Sequence, residues 1–219
     1  LGGRLWAGAG VVQGLGLAGT IVAGDPLASR FDGSARFTKA FCWANCTGGL
    51  GGGVSLRLAS NGQLASRPLL SAQEIGLGGA YFGRGYDFNE RFGDNGIVGL
   101  AELRRRFDEP VKGVSWLQLY GFIDGGYVAD LGGSFGEGAL GSAGAGLRAM
   151  IGQTEIGIET AFPLGAVRYE SGDRSPRINL FVGPNLKGRA RARVVPFHTA
   201  LHGFRGLLRQ RNPQSHSTC

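Results

Sequence analysis

Histidine is almost missing from this sequence. All three histidines, His198, His202 and His216, fall after Gly183. The preceding residues therefore cannot assemble a Ser-His-Asp triad or a histidine-held metal, so no enzyme is expected and no cofactor is implied. Cysteine is scarce as well: Cys42, Cys46 and Cys219 make an odd count. Cys42 and Cys46 are four apart, so on a strand they share a face but sit too far apart to bond. Their spacing is not the Cys-x-x-Cys of a redox or zinc site.

Acidic residues are absent from the end of the chain. After Gly183 come Lys187, Arg189, Arg191, Arg193, Arg205, Arg209 and Arg211, with no Asp or Glu. Subtracting these 7 from 23 basic residues leaves 16, which balance the 16 acidic ones. The net charge of +7 thus belongs to residues 184–219, a basic tail, and implies no nucleic-acid surface on the fold. Nor is there a convincing membrane helix. Leu5 to Gly24 is uncharged and follows Arg4, as a signal or spanning segment would, but it carries six glycines. Each weakens a helix by about 1 kcal/mol against Ala. Gly14-Leu15-Gly16-Leu17-Ala18-Gly19 fits a dinucleotide-binding fingerprint, which needs a helix next; Gly24-Asp25-Pro26 leaves no room for one. Finally, 42 glycines occur with no Gly-x-y period, which excludes collagen.

What is present is period-2 alternation. Nine strands are expected, at about Arg4–Leu15, Arg36–Asn45, Val54–Gln63, Leu70–Gly79, Gly96–Phe107, Val114–Ala129, Ser142–Ile151, Thr154–Leu164 and Arg177–Gly183. Asp108-Glu109-Pro110 reads as the turn closing the fifth. In the eighth, Ile156, Ile158, Phe162 and Leu164 oppose Glu155 and Glu159. In the sixth, Leu117, Leu119 and Ile123 oppose Gln118 and Asp124. In the fifth, Ile97, Ala101 and Leu103 oppose Glu102 and Arg104. In the third, Val54, Leu56 and Leu58 oppose Arg57, and in the ninth Ile178, Leu180 and Val182 oppose Arg177 and Asn179. A soluble sandwich puts such charge in water; a membrane barrel puts it in an aqueous lumen. Alternation alone does not separate the two, but strand length favours the membrane. The polar face collects Arg57, Glu102, Arg104, Arg148, Glu155, Glu159 and Arg177 as lumen-facing candidates.

The stretch Gly78-Gly79-Ala80-Tyr81-Phe82-Gly83-Arg84-Gly85-Tyr86-Asp87 is an unusual loop. Its glycines permit tight or left-handed backbone. Its aromatic residues, with Phe88, exceed what a solvated loop needs, and Arg84 stands between two glycines, free to be aimed. Such a loop is built to fold inward and dock.

From the leucine-leucine-serine lead-in at Leu69 through Gly83-Arg84-Gly85-Tyr86, the return Gly93-Asp94-Asn95-Gly96 and the strand Glu102-Leu103-Arg104, this region resembles a known family. It is similar to the C-terminal barrel of the outer-membrane transporters of two-partner secretion, the haemolysin secretion/activation proteins of Gram-negative bacteria. Family-like strands extend from about residue 4 to Gly183. The resemblance implies an all-β, antiparallel transmembrane β-barrel of 16 strands, whose sixth extracellular loop tucks into the lumen. It also implies that Arg84 meets Asp124, making Gly83, Arg84, Gly85, Tyr86 and Asp124 a loop lock. The implied activity is export of an unfolded partner exoprotein of haemolysin or adhesin type, without ATP. Implied partners are that exoprotein, outer-membrane lipid and the barrel assembly machinery.

Four strands before the loop and five after it correspond to the last nine of such a barrel, so residues 1–183 are expected to be a fragment lacking about seven strands and the periplasmic polypeptide-binding domains. Residues 184–219 depart from the family, whose last strand ends in an aromatic residue. Pro184 is expected to stop strand pairing, and the residues after it read as out-of-frame or disordered. The alternatives are a sister barrel that inserts other barrels, a passive porin-like pore and a soluble β-sheet binding protein.

Overall fold

The computed structural model describes residues 2–17, 20–133 and 136–184. The basic segment beyond Pro184 lies outside them, so the expectations for it do too. Among the described residues, eight strands form one antiparallel sheet in the order β1, β2, β3, β6, β7, β8, β9, β10: Gly3–Gln13, Thr38–Gly51, Val54–Ala65, Asn95–Val111, Val114–Ala129, Gly138–Ile151, Thr154–Pro163 and Arg177–Pro184. Strands of 14 to 17 residues, such as β2, β6, β7 and β8, exceed what a tilted strand needs to cross a bilayer. No helix among the described residues is long and apolar enough to cross a membrane. Leu5 to Gln13 lies instead in β1, paired with β2 from Gly3↔Gly48 to Gln13↔Thr38.

Several boundaries differ from the sequence reading: β2 runs on to Gly51, β8 starts at Gly138, and Pro184, expected to stop strand pairing, is the last residue of β10, opposite Thr154, where the strand ends and no further ladder donor is called for. Two differences are larger. Leu70–Gly79 is not a member of the main sheet. A 3-10 turn covers Ser71–Gln73, and β4 (Ile75–Leu77) pairs with β5 (Arg91–Gly93) in a separate two-stranded ribbon. The alternation there is real, because Leu77 is fully buried, but it serves a ribbon packed against the main sheet. Among the described residues, three main-sheet strands therefore precede the loop and five follow it. The second difference is the turn. β6 runs through Asp108-Glu109-Pro110 to Val111, and the chain reverses at Lys112-Gly113. A register shift between Asp108 and Val111 makes room for Pro110, which lacks a ladder donor.

Register places all the predicted polar residues on one face. Arg57 stands opposite Glu102, Arg104 opposite Tyr120, Gly146 opposite Glu159, and Ala161 opposite Arg177. Met150 opposite Glu155 and Gln118 opposite Arg148 extend the same face. We call it the inner face. The other face carries Leu58, Leu103, Leu119, Ile123, Ile158 and Leu180, all at least 45% exposed. Burial is thus inverted relative to a soluble sheet: charge is covered and apolar side chains are bare. A soluble sandwich would cover that apolar face with a second layer. The inversion is that of a barrel with lipid outside and water inside.

The described core lies between the inner face and the segment linking β3 to β6. Leu77, Tyr86, Val98, Val128 and Leu140 form one buried cluster; Leu100, Tyr120, Phe122 and Ala161 form a second. Phe82 packs against both, so the loop aromatic joins the two clusters.

Candidate functional site

The loop between β4 and β5 reaches the inner face because two glycines let it. Gly83 has φ +78°, a left-handed conformation that side chains other than glycine rarely adopt. Gly85 lies so close to β9 that an added Cβ would stand 2.8 Å from the Pro163 nitrogen. Arg84, held between them, is buried.

Its guanidinium meets three carboxylates from three strands. Nε donates to Asp124 Oδ2 of β7 at 2.8 Å, Nη1 to Glu159 Oε2 of β9 at 2.7 Å, and Nη2 to Glu102 Oε2 of β6 at 3.1 Å. The Arg84 backbone N–H also points at Asp124, 3.3 Å from Oδ1. Its charged plane lies over the Phe122 ring, 3.4 Å from the centroid, in a cation–π contact.

The carboxylates are themselves held. Ser142 Oγ donates to Asp124 Oδ1. Tyr120 donates to Glu159 Oε2 at 3.0 Å, and Asn179 Nδ2 lies 3.4 Å from Glu159 Oε1. Arg104 Nε donates to Glu102 Oε1 at 2.6 Å, with Arg148 Nη1 3.8 Å from the same oxygen. Arg84, Arg104 and Arg148 thus face Glu102, Asp124 and Glu159, three charges of each sign. Burying ions demands this pairing, because an uncompensated one costs several kcal/mol.

Tyr86 completes the docking. It is fully buried, donates to the Ala166 carbonyl at 3.0 Å, and its oxygen accepts from Gly165 N–H at 3.3 Å. Arg177 binds the Tyr86 carbonyl, and its Nη1 lies 2.8 Å from Asp87 Oδ1. Tyr81 and Phe88 differ from the inward aromatics: they are 69% and 71% exposed. Among the aromatics of β7, Tyr120 and Phe122 pack at the arginine, whereas Tyr127 is exposed. Of the polar residues read from the sequence, Glu102, Arg104, Arg148 and Glu159 gather around Arg84, and Arg177 holds the loop's far side. Arg57 donates to Asn45 Oδ1 at 3.4 Å and makes no ion pair among the described residues. Glu155 sits on the same face, opposite Met150 and away from the cluster.

A second arginine cluster was not read from the sequence. Arg30, in the connection between β1 and β2, places Nη1 2.5 Å from Glu74 Oε1, 3.1 Å from Asp94 Oδ1 and 3.4 Å from Asp130 Oδ1. Its Nε is 2.6 Å from Asp32 Oδ1. Asp94 is fully buried and also accepts the backbone N–H of Leu69 at 2.7 Å and of Leu131 at 2.9 Å. Burial pushes the Glu74 carboxyl above its usual range, against the pull of Arg30. Burial alone would lower Arg30, but its bond to Asp32 and the charges of Asp94 and Glu74 outweigh that and leave it raised. The Arg30 bond also holds Asp32 below the usual carboxylate range. The one available signal was Gly93-Asp94-Asn95-Gly96. It reads as a turn, and nothing in the irregular connection 16–34 pointed to Arg30 as its partner.

An inward loop bonded through an arginine to the charged face of an antiparallel sheet, with apolar side chains bare on the other face, marks the chain as part of a transmembrane β-barrel. The haemolysin secretion/activation protein family ShlB/FhaC/HecB matches residues 2–149, and the chain belongs to that family. No curated protein matches the chain. CdiB from Escherichia coli has a similar fold, with TM-score 0.64 and 20% identity over 83% of this chain. CdiB from Acinetobacter baumannii gives 0.54 and 24% over 67% of this chain. The chain spans only 33% and 27% of those two proteins.

Proposed function

We propose that this chain supplies the C-terminal strands and the gating loop of an outer-membrane transporter that exports an unfolded partner exoprotein of haemolysin or adhesin type. The observation that carries the reading is Arg84, bonded at once to Glu102, Asp124 and Glu159. A loop docked in the interior through Arg84, with Tyr86 and Arg177 holding its far side, blocks a conduit while docked and clears it when those contacts let go. A buried ion network contributes little net stability but specifies one arrangement, which suits a plug that must be released. The polar inner face gives an extended polypeptide a wall with few apolar patches to stick to. Export by this route uses no nucleotide and no cofactor. Lipid contacts the outer face, and the barrel assembly machinery inserts the protein.

The test is export by the intact transporter in Gram-negative cells, comparing parent and Arg84→Gln. The expected result is reduced appearance of the partner outside the cell, together with greater entry of large antibiotics. Unchanged export and unchanged entry would overturn loop gating. A fall in assembly of other barrels with normal export would point to an insertase, and constitutive conductance insensitive to Arg84 to a passive pore.

A further inference from the structure

The two ends of the main sheet differ. Short turns at 52–53, 112–113 and 152–153 close one end, and the longer connections, from β1 to β2, β3 to β6, β7 to β8 and β9 to β10, leave the sheet from the other. In outer-membrane barrels short turns face the periplasm and long loops face outward. The outer ends of β1, β2 and β3 therefore reach the outer leaflet.

At that end the apolar outer face changes character. Val11 and Leu64 are exposed at 70% and 68%. One step further along each strand, still on the outer face, come Gln13, Thr38 and Ser66. Gln13 stands opposite Thr38, whose hydroxyl donates to Gln13 Oε1. Ser66 Oγ accepts the Thr38 backbone N–H at 3.0 Å and keeps its own proton to donate. These side chains line an open concavity of ≈ 540 Å³ together with Gly14, Leu15, Gly16, Arg36, Phe37 and Arg67.

Both arginines are exposed, and neither makes an ion pair among the described residues. No carboxylate among the described residues lines the concavity. The Arg36 side chain lies across Gly16, where an added Cβ would be 2.2 Å from Arg36 Nε, so glycine there makes room for the guanidinium. The order from the membrane outward is thus apolar strand, hydroxyls and amide, then two guanidinium groups. The arginines at the docked loop and at the Arg30 cluster are matched by carboxylates; these two are not.

We propose that this concavity binds the headgroup of a phosphorylated glycolipid of the outer leaflet. The inference uses the outer-membrane placement but is independent of whether the chain exports protein. Guanidinium forks match phosphate oxygens in bidentate fashion. Two of them, beside the hydroxyl and amide groups of Gln13, Thr38 and Ser66, suit a headgroup with phosphates on a sugar better than a single small phosphodiester. The exposed Val11 and Leu64, one step toward the membrane on the same face, offer apolar surface to acyl chains.

The experiment is native mass spectrometry of the intact protein in mild detergent, titrated with bis-phosphorylated lipid A disaccharide, the same lipid with both phosphates removed, and phosphatidylglycerol. The expected result is preference for the bis-phosphorylated lipid. The paired substitution Arg36→Gln with Arg67→Gln weakens binding by about 10- to 30-fold, as two interfacial arginines would. Arg174→Gln, which removes an exposed arginine from another connection at the same rim, leaves affinity unchanged. Equal binding of the dephosphorylated lipid overturns the proposal, and that comparison requires no variant to fold. So does parent-like affinity in the paired variant, or an equal loss in Arg174→Gln. Equal affinity for phosphatidylglycerol overturns the assignment to a glycolipid.

Discussion

Arg84 Nε lies 2.8 Å from Asp124 Oδ2, forty residues on in the chain, and the Arg84 backbone N–H is aimed at the same carboxylate. Side chain and main chain converge on one acid, so Asp124 fixes where the loop tip sits as well as which charge it carries. Arg84→Ala leaves Glu102, Asp124 and Glu159 without their shared cation, whereas Asp124→Ala leaves Arg84 two other partners. Each substitution should therefore weaken docking by about 3–5 kcal/mol, with Arg84→Ala the larger. The double variant should fall short of the sum by about 1–3 kcal/mol. Loop cleavage by protease in micelles reads the docking equilibrium, and strict additivity would separate the two residues functionally.

Gly85 tests contact rather than charge. Its missing Cβ is what lets the loop lie on β9, where Pro163 N, Phe162 C and Ser142 Cβ all stand within 3.0 Å of the added atom. Two of these are backbone atoms that cannot turn aside. Gly85→Ala should lift the loop and raise its protease sensitivity while Arg84 and its acids stay intact. Gly183→Ala, with nothing within 4 Å of its Cβ, serves as the matched control and should leave loop cleavage unchanged.

The faces of the sheet were legible because alternation is a local property: Glu155 and Glu159 against Ile156 and Ile158 states which side is which without any knowledge of neighbours. The loop tip was legible because Gly-Arg-Gly-Tyr is an unusual local combination. That Glu102 and Glu159 join Asp124 around Arg84 was not, since their convergence depends on registers β6↔β7 and β8↔β9 that no single strand encodes. Leu70–Gly79 misled for a related reason: a ribbon strand and a main-sheet strand alternate alike. Arg30 lay beyond reach entirely, since its acids come from residues 32, 74, 94 and 130, each in a differently irregular stretch.

The Arg30 cluster makes a prediction about pH. Burial raises the Glu74 carboxyl, so its ionised form is disfavoured in the folded protein and Arg30 offsets that cost. A raised carboxyl favours folding below its unfolded value, and that contribution is lost as pH rises through the folded value. In Arg30→Gln the offset is gone, and Asp94 and Asp130 remain beside Glu74. The variant should be less stable than the parent at pH 7, and the gap should narrow as pH falls through the raised Glu74 range, above the ordinary carboxyl value of 4.5. Denaturant unfolding at a series of pH values checks this; a gap that is constant or widens toward acid would assign Arg30 a packing role instead.

The outer face predicts a sharp asymmetry between neighbouring residues. Ile158 is 46% exposed and points away from the buried charges, while Glu159, the next residue, binds Arg84. If lipid covers the outer face, Ile158→Lys puts an ammonium in hydrocarbon and should cost about 2–4 kcal/mol near the bilayer midplane. In a soluble sheet the same change would place a lysine in water and cost within about 0.5 kcal/mol. Gln118→Lys, on the inner face of β7, should cost little in either environment, because the interior is wet. Folding titrations of both variants in lipid vesicles measure the difference. A large penalty for Ile158→Lys with a small one for Gln118→Lys requires that water lie on the side carrying Arg84 and lipid on the other, which is the geometry an inward-docked loop needs in order to close a channel.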